Sequence, residues 1–288
     1  MEAILVTLIL GTATPGGGFP VYGDAFADMV NAQDAKLVVK TTNTKGSAEN
    51  VPLLESGKLD LGLVAGELAS AALAKPGTKL RIVAAMYSAP GMFAVRGDSP
   101  VRAIADLKGQ PVALGAQGSG LTVLGRGVLE ALGIEVQPIT LEKAADGPAM
   151  VLDGRAAALW GAGVGWPGFT ALAKAGGRFV APSAAEIQQI LAKNSALKAL
   201  TMPAGSYPGQ DAPVHTVGSW SFVLARPELP DDVAYRLARA VHRAEAPFAA
   251  RLAQARETTM ANTAAAAPAP ELIHPGVRKY LREIGAEK

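Results

Sequence analysis

Short apolar runs alternate with segments of helical period along most of the 288 residues. No other feature constrains the fold as tightly. Parallel strands must be joined by a crossover of a dozen or more residues, and an intervening helix supplies it. The runs at 4–11, 37–42, 59–64, 80–86, 92–96, 111–114, 156–160 and 219–225 read as strands. Helices are expected where Phe19, Tyr22, Phe26, Met29 and Val30 fall at helical spacing, and over 119–132, 144–152 and 231–255. The last of these opens on Leu229-Pro230-Asp231-Asp232, with proline and acids where a helix N-terminus favours them. Gly133 closes the segment 119–132, and the Ala/Pro stretch 264–270 reads as a surface connection before a closing helix near 276–284. The polar stretch 98–108 precedes a new strand at Pro111, and a Tyr-Pro-Gly loop gives way to a strand near 216–220. The expectation is an α/β protein of two lobes, with mostly parallel sheets and helices on both faces. Residues 1–110 and 218–288 would form lobe 1 and 111–217 lobe 2, with a ligand cleft between them.

Composition removes several function classes. Apolar residues make up 49% and charged residues 18%, which excludes a disordered chain or a coiled coil. The 27 basic and 25 acidic residues leave a net charge of +2 without a basic run, so no nucleic-acid partner is expected. Cysteine is absent, which removes disulfides, a thiolate nucleophile and thiolate metal sites. The apolar run 3–10 follows Glu2, has no preceding Lys or Arg, and reads as a buried strand rather than a signal peptide. A natural leader, if there was one, is taken to have been removed. No run reaches the roughly 18 apolar residues that would suggest a membrane span.

Three expected strand-to-helix turns share one chemical character: Thr14-Pro15-Gly16-Gly17-Gly18-Phe19, Thr44-Lys45-Gly46-Ser47-Ala48-Glu49-Asn50, and Gln117-Gly118-Ser119-Gly120-Leu121-Thr122. Each joins glycine, which lets a ligand approach the backbone, to a hydroxyl at or near a helix start. Unpaired N–H groups and the positive end of the helix dipole suit a carboxylate there. Each turn taken singly also fits ordinary helix capping; together they lie where ligands of open α/β sheets bind, outside the carboxyl ends of strands. Trp160 and Trp166 flank a small-residue run and would either wall a ligand's carbon skeleton or pack in the core. Glu67 follows the third strand and would either bind a cationic group or sit in a helix's first turn. Arg81 and Arg96 flank or end strands, and either one is chemically suited to pair a second carboxylate bidentately, with the sequence choosing neither. Gly163-x-Gly165-x-x-Gly168 matches a dinucleotide pattern only formally. His215, His242 and His274 are scattered, and no nucleophile elbow, phosphate loop or paired-histidine metal motif is present, so neither catalysis nor a cofactor is expected.

Several segments resemble a known family when taken in order: Gly-Gly-Gly-Phe-Pro-Val-Tyr-Gly (16–23), Gly-Ser-Ala-Glu-Asn (46–50), Leu-Glu-Ser-Gly-Lys-Leu-Asp-Leu-Gly-Leu-Val (54–64), Ile-Ala-Asp-Leu-Lys-Gly-Gln-Pro-Val-Ala-Leu-Gly (104–115), Gly-Ser-Gly (118–120) and Pro-Ala-Gly-Ser-Tyr-Pro-Gly-Gln-Asp (203–211). The set resembles the TAXI-type solute receptors of TRAP transporters, whose fold is that of type II periplasmic binding proteins. The resemblance implies a monomeric periplasmic or extracytoplasmic receptor that closes on a small organic anion, a carboxylate or amino acid, and hands it to the membrane permease subunits. It maps ligand contacts onto Gly18, Phe19 and Tyr22, onto Ser47 and Asn50, and onto Ser119 and Thr122. Departures include Phe19-Pro20 after the glycines, Ala65-Gly66-Glu67 after the third strand, and the Trp pair, which fits a bulkier carboxylate than glutamate. An enzyme on the same fold and a sensory ligand-binding receptor are the alternative expectations.

Overall fold

The computed structural model describes residues 5–116, 119–143, 145–194 and 196–287. The chain divides into two compact units. One holds the residues up to Pro15, Phe19–Tyr87 and those from Trp220 onward; the other holds Gly16–Gly18 and Ser88–Ser219. Residues 88–110 therefore group with the second unit.

The first unit begins β1 (Val6–Gly11), α1 (Gly18–Gln33), β2 (Leu37–Thr42), α2 (Ser47–Glu55), β3 (Leu61–Val64) and α3 (Gly66–Leu73), then enters the long strand β4 (Arg81–Val95). β1 pairs in parallel with β2 from Val6↔Leu37 to Gly11↔Thr42, and with β3 at Leu10↔Leu61. Apolar residues cover both faces of this sheet, as parallel sheets require. On one face Tyr22, Phe26 and Val30 of α1 join Leu8, Leu10, Leu37 and Val39; on the other Val51 and Leu54 of α2 join Leu73 of α3 and Val64.

The second unit continues with β5 (Pro111–Ala116), α4 (Gly120–Leu132), β6 (Gln137–Leu141), α5 (Asp146–Leu152), β7 (Ala158–Ala162), α6 (Pro167–Lys174), β8 (Arg178–Val180), α7 (Ala184–Lys193), β9 (Lys198–Met202) and β10 (Val214–Ala225). β5 lies parallel to β6 and β7, whereas β4 pairs antiparallel with β7 and β8, and β10 antiparallel with β9 and, in the first unit, with β3. Alternate strand residues feed the two sides of the sheet: Phe93, Val112, Leu114 and Trp160 pack with α4 and α7, and Met92, Ala94, Ala113 and Leu159 with α5 and α6. The first unit is then completed by α8 (Asp231–Arg251), α9 (Met260–Ala266) and α10 (Pro275–Glu283). Val233, Leu237 and Val241 of α8 fall at i, i+4 and i+8 and are buried in the same cluster as α1.

Two local readings need correction. The expected strands 80–86 and 92–96 are one strand, β4, which passes through Pro90; the Pro90 carbonyl accepts the Gly163 N–H at 3.1 Å. The Ala/Pro stretch 264–270 is not wholly a connection, because its first residues complete α9. Thr259 caps that helix by accepting the Asn262 N–H, and Thr263 within it donates from its buried hydroxyl to the Thr259 carbonyl.

Candidate functional site

In the first unit the carboxyl ends of β2, β1 and β3 lead into α2, α1 and α3. The side chains expected to meet a ligand there are mostly occupied by the protein. Asn50 is fully buried, and its Nδ2 donates to the Thr12 and Leu63 carbonyls at 2.8 Å each and to Gly11 O at 3.3 Å. It thus stitches the end of β1 to the end of β3. Ser47 is buried too, and its hydroxyl accepts the Ala65 N–H at 3.0 Å. Thr12 and Thr44 complete the lattice: the Thr12 hydroxyl donates to Thr42 O, and the Thr44 hydroxyl donates to Thr12 O while accepting the Gly46 N–H. Gly46, at φ 99°, takes a left-handed conformation that only glycine adopts without strain.

Tyr22 is a correction. It was expected at the ligand, but its ring is fully buried against Phe26, Tyr87 and Phe248, and its hydroxyl pairs with Thr258 Oγ1 at 2.9 Å. Burial holds that phenol well above the usual tyrosine range, so it stays neutral. Gly18 opens α1, and Phe19 beside it is half-buried against the core of the first unit. Glu67 lies in the first turn of α3.

In the second unit Ser119 caps α4, accepting the Thr122 N–H at 3.2 Å. The Thr122 hydroxyl is buried and donates to the Ala116 carbonyl at 2.8 Å. Gly115, at φ +118°, makes room for it, since a Cβ there would lie 2.9 Å from Thr122 Oγ1. Gly118 lies outside the described residues. Ser119 and Thr122 therefore come together, their hydroxyl oxygens 3.0 Å apart, and Ser119 keeps partial exposure.

The two indoles are core residues, the second correction. Trp160 is 1% exposed, stacks 4.8 Å from Phe93 and donates its Nε1–H to Leu121 O at 2.8 Å. It fits because Gly91 and Gly125 present no Cβ to its ring. Trp166 packs edge-on to Phe169 beside Gly161 and Gly168, whose added Cβ atoms would sit 2.5 Å from its ring. Of the three glycines in the formal dinucleotide pattern, Gly168 makes room for the Trp166 indole, whereas Gly163 and Gly165, at φ 95° and 72°, take backbone conformations that favour glycine. Arg81 and Arg96 are spent locally, Arg81 on the Thr78 and Leu80 carbonyls and Arg96 on Asp98.

Electrostatics separates the remaining helix starts. Glu49 in the first turn of α2 brings its own carboxylate onto the Lys45 N–H at 2.5 Å, and α3 carries Glu67 in its first turn. A like charge at a helix N-terminus offsets an attraction worth about 0.3–1 kcal/mol for an incoming anion. The first turns of α1, α4 and α6 hold no acid. These helices leave β1, β5 and β7 at their carboxyl ends. Sequence reasoning missed two parts of this picture. It did not single out Glu49 as a built-in counter-anion, although Glu at the third position of a helix is a known capping signal. It also gave no role to Tyr207, whose buried hydroxyl donates to Gly163 O at 2.7 Å and accepts the Trp166 N–H at 2.8 Å.

Among the described residues no cluster of acids and histidines is arranged to hold a metal, and no helix is long and apolar enough to cross a membrane. The three histidines sit in structural roles: His215 Nδ1 pairs with Thr201 Oγ1, His242 Nδ1 with the Tyr280 hydroxyl, and His274 Nε2 donates to Leu229 O.

Several solved proteins share the fold. A Rhodopseudomonas palustris protein, MatC, solved with bound malate, aligns at TM-score 0.62 and 12% identity over 96% of this chain and 97% of that one. The alkanesulfonate-binding protein SsuA from Xanthomonas axonopodis pv. citri, bound to MOPS, aligns at 0.55 and 17% over 98% and 85%. The periplasmic aliphatic sulphonate binding protein of Escherichia coli aligns at 0.54 and 21% over 96% and 82%. The architecture is thus that of the periplasmic binding proteins. One family profile matches residues 10–285, nearly the full length, and on that match the chain belongs to the NMT1-like family.

Proposed function

We propose that this protein is an extracytoplasmic solute-binding subunit that captures a small organic anion and delivers it to a membrane permease. In its finer form the reading is a TAXI-type receptor serving a TRAP-type permease, a partner suggested by the sequence segments 16–23, 46–50 and 203–211. One observation carries it. The helices that leave β1, β5 and β7 begin on glycine- or serine-bearing turns and, unlike α2 and α3, have no acid in the first turn. Such helix starts offer N–H donors and a partial positive charge to a carboxylate. That related folds hold malate and a sulfonate supports an anionic solute here. Because Ser47, Asn50, Thr122 and Tyr22 are committed within the protein, main-chain amides and the Ser119 hydroxyl carry recognition. The structural engagement of all three histidines supports binding over catalysis.

The test is a thermal-shift and calorimetric screen of C4–C5 dicarboxylates, acidic amino acids, 2-oxo acids and alkanesulfonates. A true ligand at a hundredfold excess over Kd stabilises the folded state by about 2.7 kcal/mol. Ser119→Ala should weaken binding of the best acid beyond the effect of losing a helix cap, which is about 1 kcal/mol of stability. A screen in which no anion shifts the transition refutes the reading.

A further inference from the structure

Two serines of β10 stand apart from other buried hydroxyls. Ser219 and Ser221 are each 3% exposed, yet neither side chain meets a hydrogen-bond partner among the described residues. By contrast Thr216, earlier on the same strand, donates to the Gly91 carbonyl, and Thr258 and Thr263 donate to the Met86 and Thr259 carbonyls. A buried hydroxyl left unpaired costs the folded state, and each such group in a native structure calls for an explanation. Neither oxygen is sealed off; both keep contact with solvent, where an incoming group can reach them. Alternate residues of a strand share a face, so Val217, Ser219, Ser221 and Val223 point the same way. Val217 packs in the cluster of Leu124 and Val128 from α4. Val223 packs in that of Tyr22 and Phe26 from α1. In the first unit Phe222 pairs with Val64, the last residue of β3. Ser221 therefore stands just beyond the carboxyl end of β3, on the side of the sheet that α1 covers, and α1 begins without an acid in its first turn.

We infer that Ser221, with Ser219 two residues before it, binds the solute through its side-chain hydroxyl, and that the pair selects an acid carrying further oxygen atoms over one with an alkyl chain. The inference rests on the solute-binding reading above and deepens it by naming the class of acid. A helix start takes one carboxylate, and the hydroxyls take the remaining oxygens. A serine hydroxyl donates one hydrogen bond and accepts two, so it suits a second carboxylate and equally a hydroxyl on the solute's carbon chain. Residues two apart on a strand lie about 7 Å from each other, which spreads the two hydroxyls along a solute instead of placing both on one group. The two indoles, by contrast, lie in the core and offer an alkyl chain no wall.

Malate, succinate and butyrate are four-carbon acids of falling oxygen content, and calorimetry with each on the full chain is the test. Wild type should bind them in that order of affinity. Ser221→Ala should raise the Kd for malate about tenfold or more, the worth of a hydrogen bond to a charged group, and that for butyrate less than about twofold. Ser219→Ala should compress the series in the same sense. The melting temperature of each ligand-free variant should stay level or rise slightly, since the deleted oxygen has no bond to lose. A hydroxyl with a merely structural role would lower it. If a variant folds poorly, a crystal structure of wild type with malate decides: a malate oxygen should lie within hydrogen-bond reach of Ser221 Oγ, and malate seated elsewhere overturns the assignment. Three binding results also overturn it and leave the solute-binding reading standing. These are butyrate held as tightly as malate, variants that keep the wild-type Kd for malate because the hydroxyls hold water only, and a wild type that binds other acids of the screen but none of these three. A wild type that binds no acid removes both readings.

Discussion

Replacing Asn50 by Ala separates a ligand contact from a structural tie. In the structure Asn50 is fully buried, with two good donations at 2.8 Å to Thr12 O and Leu63 O and a longer one at 3.3 Å to Gly11 O. Each good bond contributes about 1 kcal/mol net, and the truncated amide leaves a small void beside Leu54 and Leu59 worth a further fraction of that. One term opposes. Asn50 Oδ1 is buried without a hydrogen-bond partner among the described residues, so deleting it relieves a cost the folded protein already bears, about 1 kcal/mol. The balance is a loss of about 1.5 kcal/mol, which for 288 residues lowers the melting temperature by roughly 2–3 °C. The assay is chemical and thermal denaturation of both proteins, read with the ligand affinity of each. Asn50→Asp should be worse, since a carboxylate would face three carbonyls. A variant that melts within a degree of wild type while losing its ligand would refute the tie and return Asn50 to the ligand.

Further outcomes follow from other sites. Gly125→Ala places a Cβ 2.7 Å from the Trp160 indole and should cost about 1–3 kcal/mol by overpacking, read as an earlier urea midpoint; an unchanged midpoint would mean the ring has room to move. Burial holds the His274 imidazole below its ordinary 6.5, with Asp231 at 3.6 Å opposing that shift and Arg81 reinforcing it. The folded state therefore binds fewer protons than the unfolded chain. Its contribution is complete above pH 6.5 and is lost as pH falls through 6.5 toward the folded value. His274→Asn, which keeps a helix-capping side chain, should flatten the stability profile below pH 6.5; a profile as steep as wild type would assign the slope to other groups.

The elements that were legible share a local cause. The strand 37–42 is read to the residue because its apolar run is bounded by turn residues, and α4 because Ser119 and Gly133 mark its two ends. The helix-start chemistry around Gly18, Ser47 and Ser119 was legible for the same reason. What each side chain does there was not. Whether Asn50 faces a ligand or a neighbouring carbonyl depends on β1 and β3, which lie 39 and 13 residues away along the chain. The antiparallel pairings of β4 and β10 escaped notice because they join segments far apart, and Pro90 disguised a single strand as two. The Trp pair was open to either reading, since the glycines that accommodate Trp160 stand at 91 and 125.

That last arrangement bears on how the sequence can drift. Gly91, Gly125 and Trp160 come from three separate segments yet share a single volume. A descendant that exchanged the indole for a smaller side chain would inherit two hollows, and one that enlarged either glycine would have nowhere to put the ring. Acceptable histories at these three positions are therefore concerted ones, in which a bulky and two minimal residues change together or not at all.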